Sequence, residues 1–417
     1  MRTNKLLTRI ALGLTAITLS NFALAEEDTT ELLKRLEQLQ KEVDYLRQQI
    51  QKSATKQEVQ EVERKVEAAA EWKQPNTLVH LAGYVDVGYS DSESQDGSFN
   101  LGTFSPIFHF QYRDLVMVES ELELELEEDG ETEAKLEYLT VDWFINDYVA
   151  LVAGRFLSPI GQFRQNLHPS WINKLPSAPP GFGEDGAAPV SDTGFQLRGG
   201  FPIEGMKANY ALFIGNGPEL AAEMEVEGGD IEFELEAVEA EGFNSDKDGE
   251  KVIGGRFGLL PFNGFEVGLS YATGKATVTM IEDGDSSLLN GEAARDYDVA
   301  GIDFAWQSGG LDLRGEYVRT KVGADNGSGV AASEGAEWKS WYIQGAYRLP
   351  KKKWEIVTRF TDFNSPHKSQ EQDQWSCGVN YLFTSNFIGK LSYEFNDGAR
   401  QSDTDKDRLL LQMAYGF

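Results

Sequence analysis

The last nine residues, Leu409–Phe417, constrain the fold of this chain more than any other segment. Every odd position among them carries a large apolar side chain, and the last of these is the terminal Phe417. A repeat of two residues is the pattern of a β-strand with one apolar face. A closed transmembrane barrel needs such a strand, because its final strand pairs with its first and leaves no edge in lipid. An edge strand of a soluble antiparallel sheet is the alternative.

Tyr415 and Phe417 also resemble the C-terminal assembly signal of bacterial outer-membrane proteins. They are therefore candidate contacts for the outer-membrane assembly machinery, and loss of Phe417 is expected to reduce assembly. This likeness predicts a location in the outer membrane of a Gram-negative cell.

The N-terminal residues, 1–25, have the parts of a cleaved secretory signal peptide. Basic Arg2, Lys5 and Arg9 precede a short apolar stretch, and Ala23–Ala25 is a small-x-small cleavage site. The apolar stretch is too short for a helix that spans a bilayer, and no long apolar run follows it. An integral membrane protein with this sequence therefore has to be a β-barrel.

Residues 26–74 are predicted to form a periplasmic α-helical coiled coil. Apolar residues recur there at alternating spacings of four and three, and charged or Gln residues fill the positions between them. The apolar seam consists of Leu32, Leu36, Leu39, Val43, Leu46 and Ile50. β-Branched a positions with Leu at d favour two strands, whereas a trimeric barrel would impose three. A monomeric amphipathic helix on the barrel or the membrane is the alternative.

From residue 78 to 417 the sequence predicts an all-β, antiparallel transmembrane barrel. Runs of alternating polarity are separated by connections that switch regularly between short turns and longer, acidic, Gly-rich loops. This alternation predicts about 16 strands, with both chain ends on the periplasmic side. The segment Asp230–Glu239 also alternates but is assigned to a long loop. Aromatic residues near the strand ends are typical of the girdles at membrane interfaces.

The face opposite the apolar one is predicted to line a pore. One early strand carries an acidic row, and basic residues take inward positions on other strands. The row is Glu119, Glu121, Glu123 and Glu125, and the basic positions are Arg155, Arg198, Arg256, Arg314, Arg348, Arg359 and Lys390. Opposed charges of this kind would set a field across a wet channel. Structural salt bridges inside the wall are the alternative, and both can hold at once.

The loop at 157–190 is rich in Pro and contains apolar residues such as Phe163 and Trp171. A long, stiff, partly apolar loop needs a surface to pack on, and in a barrel that surface is the lumen. We expect this constriction loop to fold inward and narrow the channel, with Arg164 and Lys174 facing the permeant. Packing on a neighbouring subunit and covering the mouth from outside are the alternatives.

Four stretches, Gly83–Asp86, Val152–Phe156, Trp171–Pro176 and Gln196–Gly199, resemble the phosphate-selective porin O and P family. The coiled coil is similar to that of trimeric porins of the dicarboxylate type. The resemblance implies a homotrimer of sixteen-stranded barrels with inward-folded loops. Phosphate porins of this family resemble basic funnels, whereas this chain has 68 acidic and 38 basic residues. The resemblance therefore does not identify the permeant.

No residue pattern points to catalysis, a metal or a cofactor. The four histidines are scattered, without Cys or carboxylate at metal-ligand spacing. His168 stands two residues before Ser170, but no G-x-S-x-G motif accompanies them. We therefore expect a protein that is not an enzyme and that has neither a cofactor nor a nucleic-acid partner.

These features predict an outer-membrane porin that lets small polar or anionic solutes diffuse passively through a homotrimer. The anion preference depends on Arg155, Arg164, Lys174 and Arg198 at the narrowest point. One alternative is a structural outer-membrane protein whose coiled coil tethers the barrel to the cell wall, with little transport. Another is a soluble, secreted β-protein with a trimerising stalk. Expected partners are outer-membrane lipid, lipopolysaccharide and, for the tether, peptidoglycan.

Overall fold

A computed structural model describes the part of the chain that follows residue 76, with short gaps. The described residues are 77–93, 95–126, 130–183, 186–227, 230–240, 248–281, 292–325, 334–400 and 402–417, together with Lys41, Asp246, Ser286 and Leu289. The predicted signal peptide, 1–25, and the predicted coiled coil, 26–74, lie outside them, Lys41 excepted.

The described chain is almost entirely β-structure. Its strands are β1 (Thr77–Ser92), β2 (Gln95–Asn100), β3 (Thr103–Tyr112), β4 (Val116–Leu126), β5 (Thr132–Asn146), β6 (Val149–Leu157), β7 (Ser191–Ile203), β8 (Met206–Gly215), β9 (Pro218–Glu227), β10 (Asp230–Ala240), β11 (Val252–Phe262), β12 (Phe265–Ala276), β13 (Val278–Ile281), β14 (Arg295–Ser308), β15 (Leu311–Val322), β16 (Ala336–Arg348), β17 (Trp354–Asn364), β18 (Gln372–Leu382), β19 (Phe387–Gly398) and β20 (Arg408–Gly416). Short helical turns occur at Phe163–Leu167 (a π-helix), Lys368–Gln370 and Asp403–Asp405.

Sixteen strands close into one antiparallel barrel in chain order, a ring that omits β2, β9, β10 and β13. Closure is made by β1 and β20, which pair from Tyr84 opposite Gly416 to Ser92 opposite Arg408. Two backbone hydrogen bonds between Gly83 and Phe417, at 3.1 and 2.9 Å, extend this pairing to the last residue. The predicted all-β barrel of 16 strands is therefore confirmed.

The strands outside the ring belong to the long connections. β2 pairs with the end of β1, and β9, β10 and β13 form a separate three-stranded sheet. The segment Asp230–Glu239, which the sequence assigned to a loop, is thus strand β10, but it pairs with β9 and does not enter the barrel. The alternation of short turns and long connections holds around the whole ring.

Large apolar side chains cover the outer face, and aromatic rings on neighbouring strands align in two rows. Toward the long loops, the ring centroids of Phe360 and Trp375 are 4.9 Å apart. Toward the short turns, those of Trp354 and Tyr381 are 4.8 Å apart. Trp375 and Tyr381 lie six residues apart on β18, which is roughly 20 Å along a strand. That spacing suits an apolar band bounded by two aromatic girdles.

The described part of the segment between β6 and β7, residues 158–183 and 186–190, lies inside the barrel and is called the inner loop below. Its side chains Ile160, Phe163 and Phe182 are buried and join a cluster with apolar residues of the wall. The ring of Phe182 meets that of Tyr342 on β16 edge to face, with centroids 5.0 Å apart. Part of the barrel interior is therefore an apolar core between the inner loop and the wall.

Candidate functional site

The inner loop covers the half of the wall formed by β12 and β14–β19. Inward side chains on these strands hydrogen-bond to the loop at many points along its length. Examples are Ser270 Oγ with the Gly161 N–H at 3.1 Å, Thr320 Oγ1 with Ala187 O at 2.6 Å, Ser340 Oγ with Pro180 O at 2.7 Å and Asn380 Nδ2 with Lys174 O at 2.9 Å. The strands opposite, β1 and β3–β8, keep open space in front of part of their inner face, and we call this open part the uncovered wall.

Three cavities lie along the uncovered wall. One of about 450 Å³, lined by Asp86 and Glu125, is at the end with the long loops. A cavity of about 230 Å³ lies in the middle, and one of about 470 Å³ is at the end with the short turns. The last two adjoin each other, because Gln165, Gln196 and Arg198 line both. The open space thus follows one side of the lumen.

The acidic row of β4 lies on the uncovered wall. Glu119 and Glu121 line the middle cavity, and Glu123 and Glu125 continue the row toward the long loops. Glu121 is 1% exposed and accepts a hydrogen bond from the Tyr84 hydroxyl at 2.8 Å. Four carboxylates at two-residue spacing outnumber Arg198 and Lys135, which lie 3.7 Å from Glu119 and 3.8 Å from Glu125, so this side of the lumen is electronegative.

Arg198 lies on the inner face of β7, where the middle cavity meets the cavity at the short turns. Its Nη2 donates a hydrogen bond to Asp142 Oδ2 and lies 3.7 Å from Glu119 Oε2. Two carboxylates therefore share one guanidinium, so its positive charge is balanced locally. From the inner loop, His168 Nε2 lies 3.6 Å from Glu121 Oε1.

Arg256 lines the cavity at the short turns but is held inside the wall by several acceptors. Its Nε and Nη2 donate to the two carboxylate oxygens of Asp303, at 2.8 and 2.6 Å. The same guanidinium bonds Glu266 Oε1 at 2.9 Å and Asn209 Oδ1 at 3.0 Å. Arg256 therefore joins β11 to β8, β12 and β14 as a structural salt bridge.

Three other predicted basic residues do not line these three cavities. Arg314 pairs with Asp312 on its own strand, with Nε and Oδ1 2.7 Å apart. Lys174 reaches the covered half of the wall, where its Nζ lies 2.9 Å from Glu355 Oε2. Arg164, in the π-helix of the inner loop, is not among the described residues that line the three cavities.

The prediction that Arg155 faces the lumen is wrong. On β6 the buried, inward positions are those of Val152 and Phe156, and Arg155 alternates with them. It pairs with Leu139 on β5, which is 45% exposed, and with Thr193 on β7, so it lies on the outer face. The apolar residues point inward because the inner loop brings an apolar core to this part of the lumen.

Sequence reasoning missed part of the lining. The missed lining residues are Asp86, Gln165, His168 and Gln196, and two missed residues, Tyr84 and Asp142, are buried hydrogen-bond partners of the lining. Asp86 and Asp142 alternate with apolar neighbours, so the two-residue period contained a signal for them. Gln165 and His168 line the lumen through the path of the inner loop, which no local pattern shows.

The described residues contain no helix that is both long and apolar enough to cross a membrane. Among the same residues, no group of three or more His, Cys, Asp or Glu side chains is arranged to hold a metal ion.

Comparison with known proteins gives a family match over part of the chain and a set of similar folds. Residues 267–417 match the family described as phosphate-selective porin O and P. The anion-selective porin from Comamonas acidovorans superposes with a TM-score of 0.54 at 15% identity, covering 82% of this chain and 100% of that one. Outer-membrane expressed OmpT of Vibrio cholerae has a TM-score of 0.50 at 10% identity, covering 83% and 99%.

The trimer form of in-vitro folded OmpT from Vibrio cholerae also has a TM-score of 0.50, at 11% identity, and covers 82% of this chain and 100% of that one. No curated protein matches the sequence. At these identities the solved structures show the fold alone. The resemblance seen in the sequence is confirmed: over residues 267–417 this chain matches the phosphate-selective porin O and P family.

Proposed function

We propose that this protein is an outer-membrane porin for the passive diffusion of small polar solutes, and that its channel favours cations. The acidic row on the uncovered wall, from Glu119 to Glu125, carries the proposal, because it borders the space that the inner loop leaves open. The family match and the barrel fold support a porin in the outer membrane, and both suggest a channel rather than an enzyme.

The preference for cations departs from the anion preference predicted from the sequence. That prediction needed basic residues at the narrowest point, but Arg155 is on the outer face and Lys174 is paired with Glu355. Arg198 does border the open space, yet Asp142 and Glu119 share its charge. Charges on external loops are screened over roughly 8 Å, whereas carboxylates that border a narrow lumen act directly on the permeant.

Reversal potentials across a KCl gradient test the cation preference in a planar bilayer. We expect the wild-type channel to pass K⁺ in preference to Cl⁻. The triple variant Glu119→Gln, Glu123→Gln and Glu125→Gln should lower the ratio of K⁺ to Cl⁻ permeability several-fold, because it removes three of the four charges of the row with little change in side-chain size. Glu121 is left in place, since it accepts the Tyr84 hydrogen bond.

Glu93→Gln is the matched control, because Glu93 is exposed in an external turn and should leave the permeability ratio unchanged. A wild-type channel that prefers Cl⁻, or a triple variant with the wild-type ratio, would contradict the cation preference. A folded barrel without conductance would instead favour the structural tether over the porin.

We also propose that the protein is a homotrimer braced by its coiled coil at 26–74. The trimer form of OmpT, which shares the barrel fold, supports this assembly. A peptide of residues 26–74 should sediment as an oligomer, and the change of Leu39 and Leu46 to Asp should make it monomeric, because charges would enter the apolar seam. A wild-type peptide that is monomeric at high concentration would refute the coiled coil.

A further inference from the structure

The guanidinium of Arg359, on β17, is buried between the wall and the inner loop and is 1% exposed. Its Nη1 donates to the carbonyl oxygen of Ser177 at 3.1 Å, and its Nη2 donates to that of Ala178 at 3.1 Å. Nη2 also bonds Ser177 Oγ at 3.2 Å and Gln374 Oε1, on the next strand, at 3.3 Å. A buried cation therefore holds the backbone of the inner loop at 177–178.

The ammonium of Lys390, on β19, has the same role two strands away. Lys390 is 2% exposed, and its Nζ donates to the carbonyl oxygens of Leu175, at 3.2 Å, and of Ser170. A third bond, 2.7 Å long, runs to Gln412 Oε1 on β20. Leu175 is fully buried beside these contacts, against Ala346 and Val357 of the wall.

The composition of the inner loop explains why its buried carbonyl oxygens bond cationic side chains at these points. Residues 169–180 form no strand or regular helix and include Pro169, Pro176, Pro179 and Pro180, which have no backbone N–H. The segment therefore has fewer backbone donors than carbonyl oxygens, and the N–H groups of the wall are used in the strand ladder, so several of its carbonyl oxygens bond wall side chains instead. Lys and Arg are donors without acceptor atoms, so they suit a surface of buried carbonyl oxygens.

The start of the inner loop is held by a carboxylate that accepts hydrogen bonds from backbone N–H groups, rather than by a cation that donates to carbonyl groups. Glu316 Oε2 on β15 accepts the N–H groups of Gln162 and Phe163, each at 3.1 Å. Gly161 has a φ of +73°, and a Cβ there would come within 1.5 Å of Glu316 Oε1, so glycine is required for this approach. This anchor holds residues 161–163 independently of the two cations.

We propose that Arg359 and Lys390 are positioning residues that keep the channel open by holding residues 170–178 of the inner loop against the covered half of the wall. The inference rests on the proposed function. Neither side chain faces the permeant, although both are inward cations. Without them the buried carbonyl groups would lose their donors, which favours a move of this stretch into the open lumen. Lys174 would then be drawn from Glu355 toward the acidic row on the opposite wall.

The double variant Arg359→Met with Lys390→Met tests the proposal in the full-length protein. Its single-channel current should show frequent partial closures, and its mean conductance should fall roughly twofold as loop atoms enter the lumen. Preference for K⁺ should also fall, because Lys174 would lie beside the acidic row. The matched control is Arg319→Met with Lys339→Met, which removes two exposed cations from the outer face and should leave all three quantities unchanged.

A second measurement does not depend on conduction. In a Cys377→Ala background, Leu175→Cys reports whether the loop leaves the wall, because Leu175 is fully buried while it is held. A small, water-soluble thiol reagent should label this cysteine slowly when Arg359 and Lys390 are present and at least tenfold faster in the double variant. Heat-modifiable gel migration selects folded barrels for both measurements.

Folded double-variant barrels with wild-type currents and slow labelling would overturn the proposal. If the double variant does not fold, each single variant is measured in the same way. Failure of both single variants to fold would also overturn it, because the cations would then serve the barrel rather than the loop. Fast labelling in a protein whose wild type does not conduct would support the anchoring of the loop and refute the porin.

Discussion

Ala414→Pro is expected to abolish the closed barrel. Ala414 is fully buried in β20, where it pairs with Asp86 on β1 and with Ile388 on β19. Proline removes the N–H from a ladder bonded on both sides, and lipid offers no water to replace the lost bond. Heat-modifiable gel migration measures this, and the faster, folded band of the wild type should be absent.

The matched control for this change is Ala399→Pro, which places the same residue in the external connection after β19. It should leave the folded band in place, because position 399 lies beyond the strand ladder. A normal yield of folded Ala414→Pro barrel would show that β20 is not required for closure.

Arg256→Met is expected to lower the free energy of unfolding by about 3–5 kcal/mol, the usual cost of breaking a buried ion pair by removing one partner. Asp303 is 1% exposed and receives two hydrogen bonds from Arg256, so its carboxylate would remain buried without its counter-ion. Urea titration of the detergent-folded protein, followed by tryptophan fluorescence, measures the change.

Two further variants make the measurement specific to the buried pair. Asp303→Asn added to Arg256→Met should recover much of the loss, because it removes the uncompensated charge. Arg319→Met should leave the stability unchanged, since Arg319 pairs with Glu337 at an exposed outer position. Equal losses of unfolding free energy in Arg256→Met and Arg319→Met would show that burial of the Arg256–Asp303 pair does not increase its contribution to stability.

The barrel was predictable from the sequence because each strand carries its own evidence. A two-residue period specifies which side chains face lipid, and turn lengths specify which end of the barrel a connection occupies. The same local reasoning identified Asp230–Glu239 as alternating but could not identify its partner, since pairing with β9 rather than with the ring is a tertiary choice.

The lining of the lumen was less predictable. The inner loop, which is distant in sequence from most of the wall, determines whether an inward side chain meets solvent or protein. Arg155 was placed inward on the rule that apolar residues face lipid, but Val152 and Phe156 face an apolar loop instead. Arg359 and Lys390 were placed inward correctly, yet their partners are carbonyl groups of the inner loop. Such pairings leave no mark on the local pattern of either segment.

The anchoring of the inner loop also has a consequence for the order of folding. Its partners follow it by 154 residues at Glu316, by 182 at Arg359 and by 220 at Lys390. Contacts at such separations form slowly, because the entropy of closing the intervening chain is lost before the contact stabilises anything. The strands that carry these partners must be in place before the loop can dock. We therefore expect a wide, unobstructed ring to form before the native molecule, with the lumen narrowing late in folding.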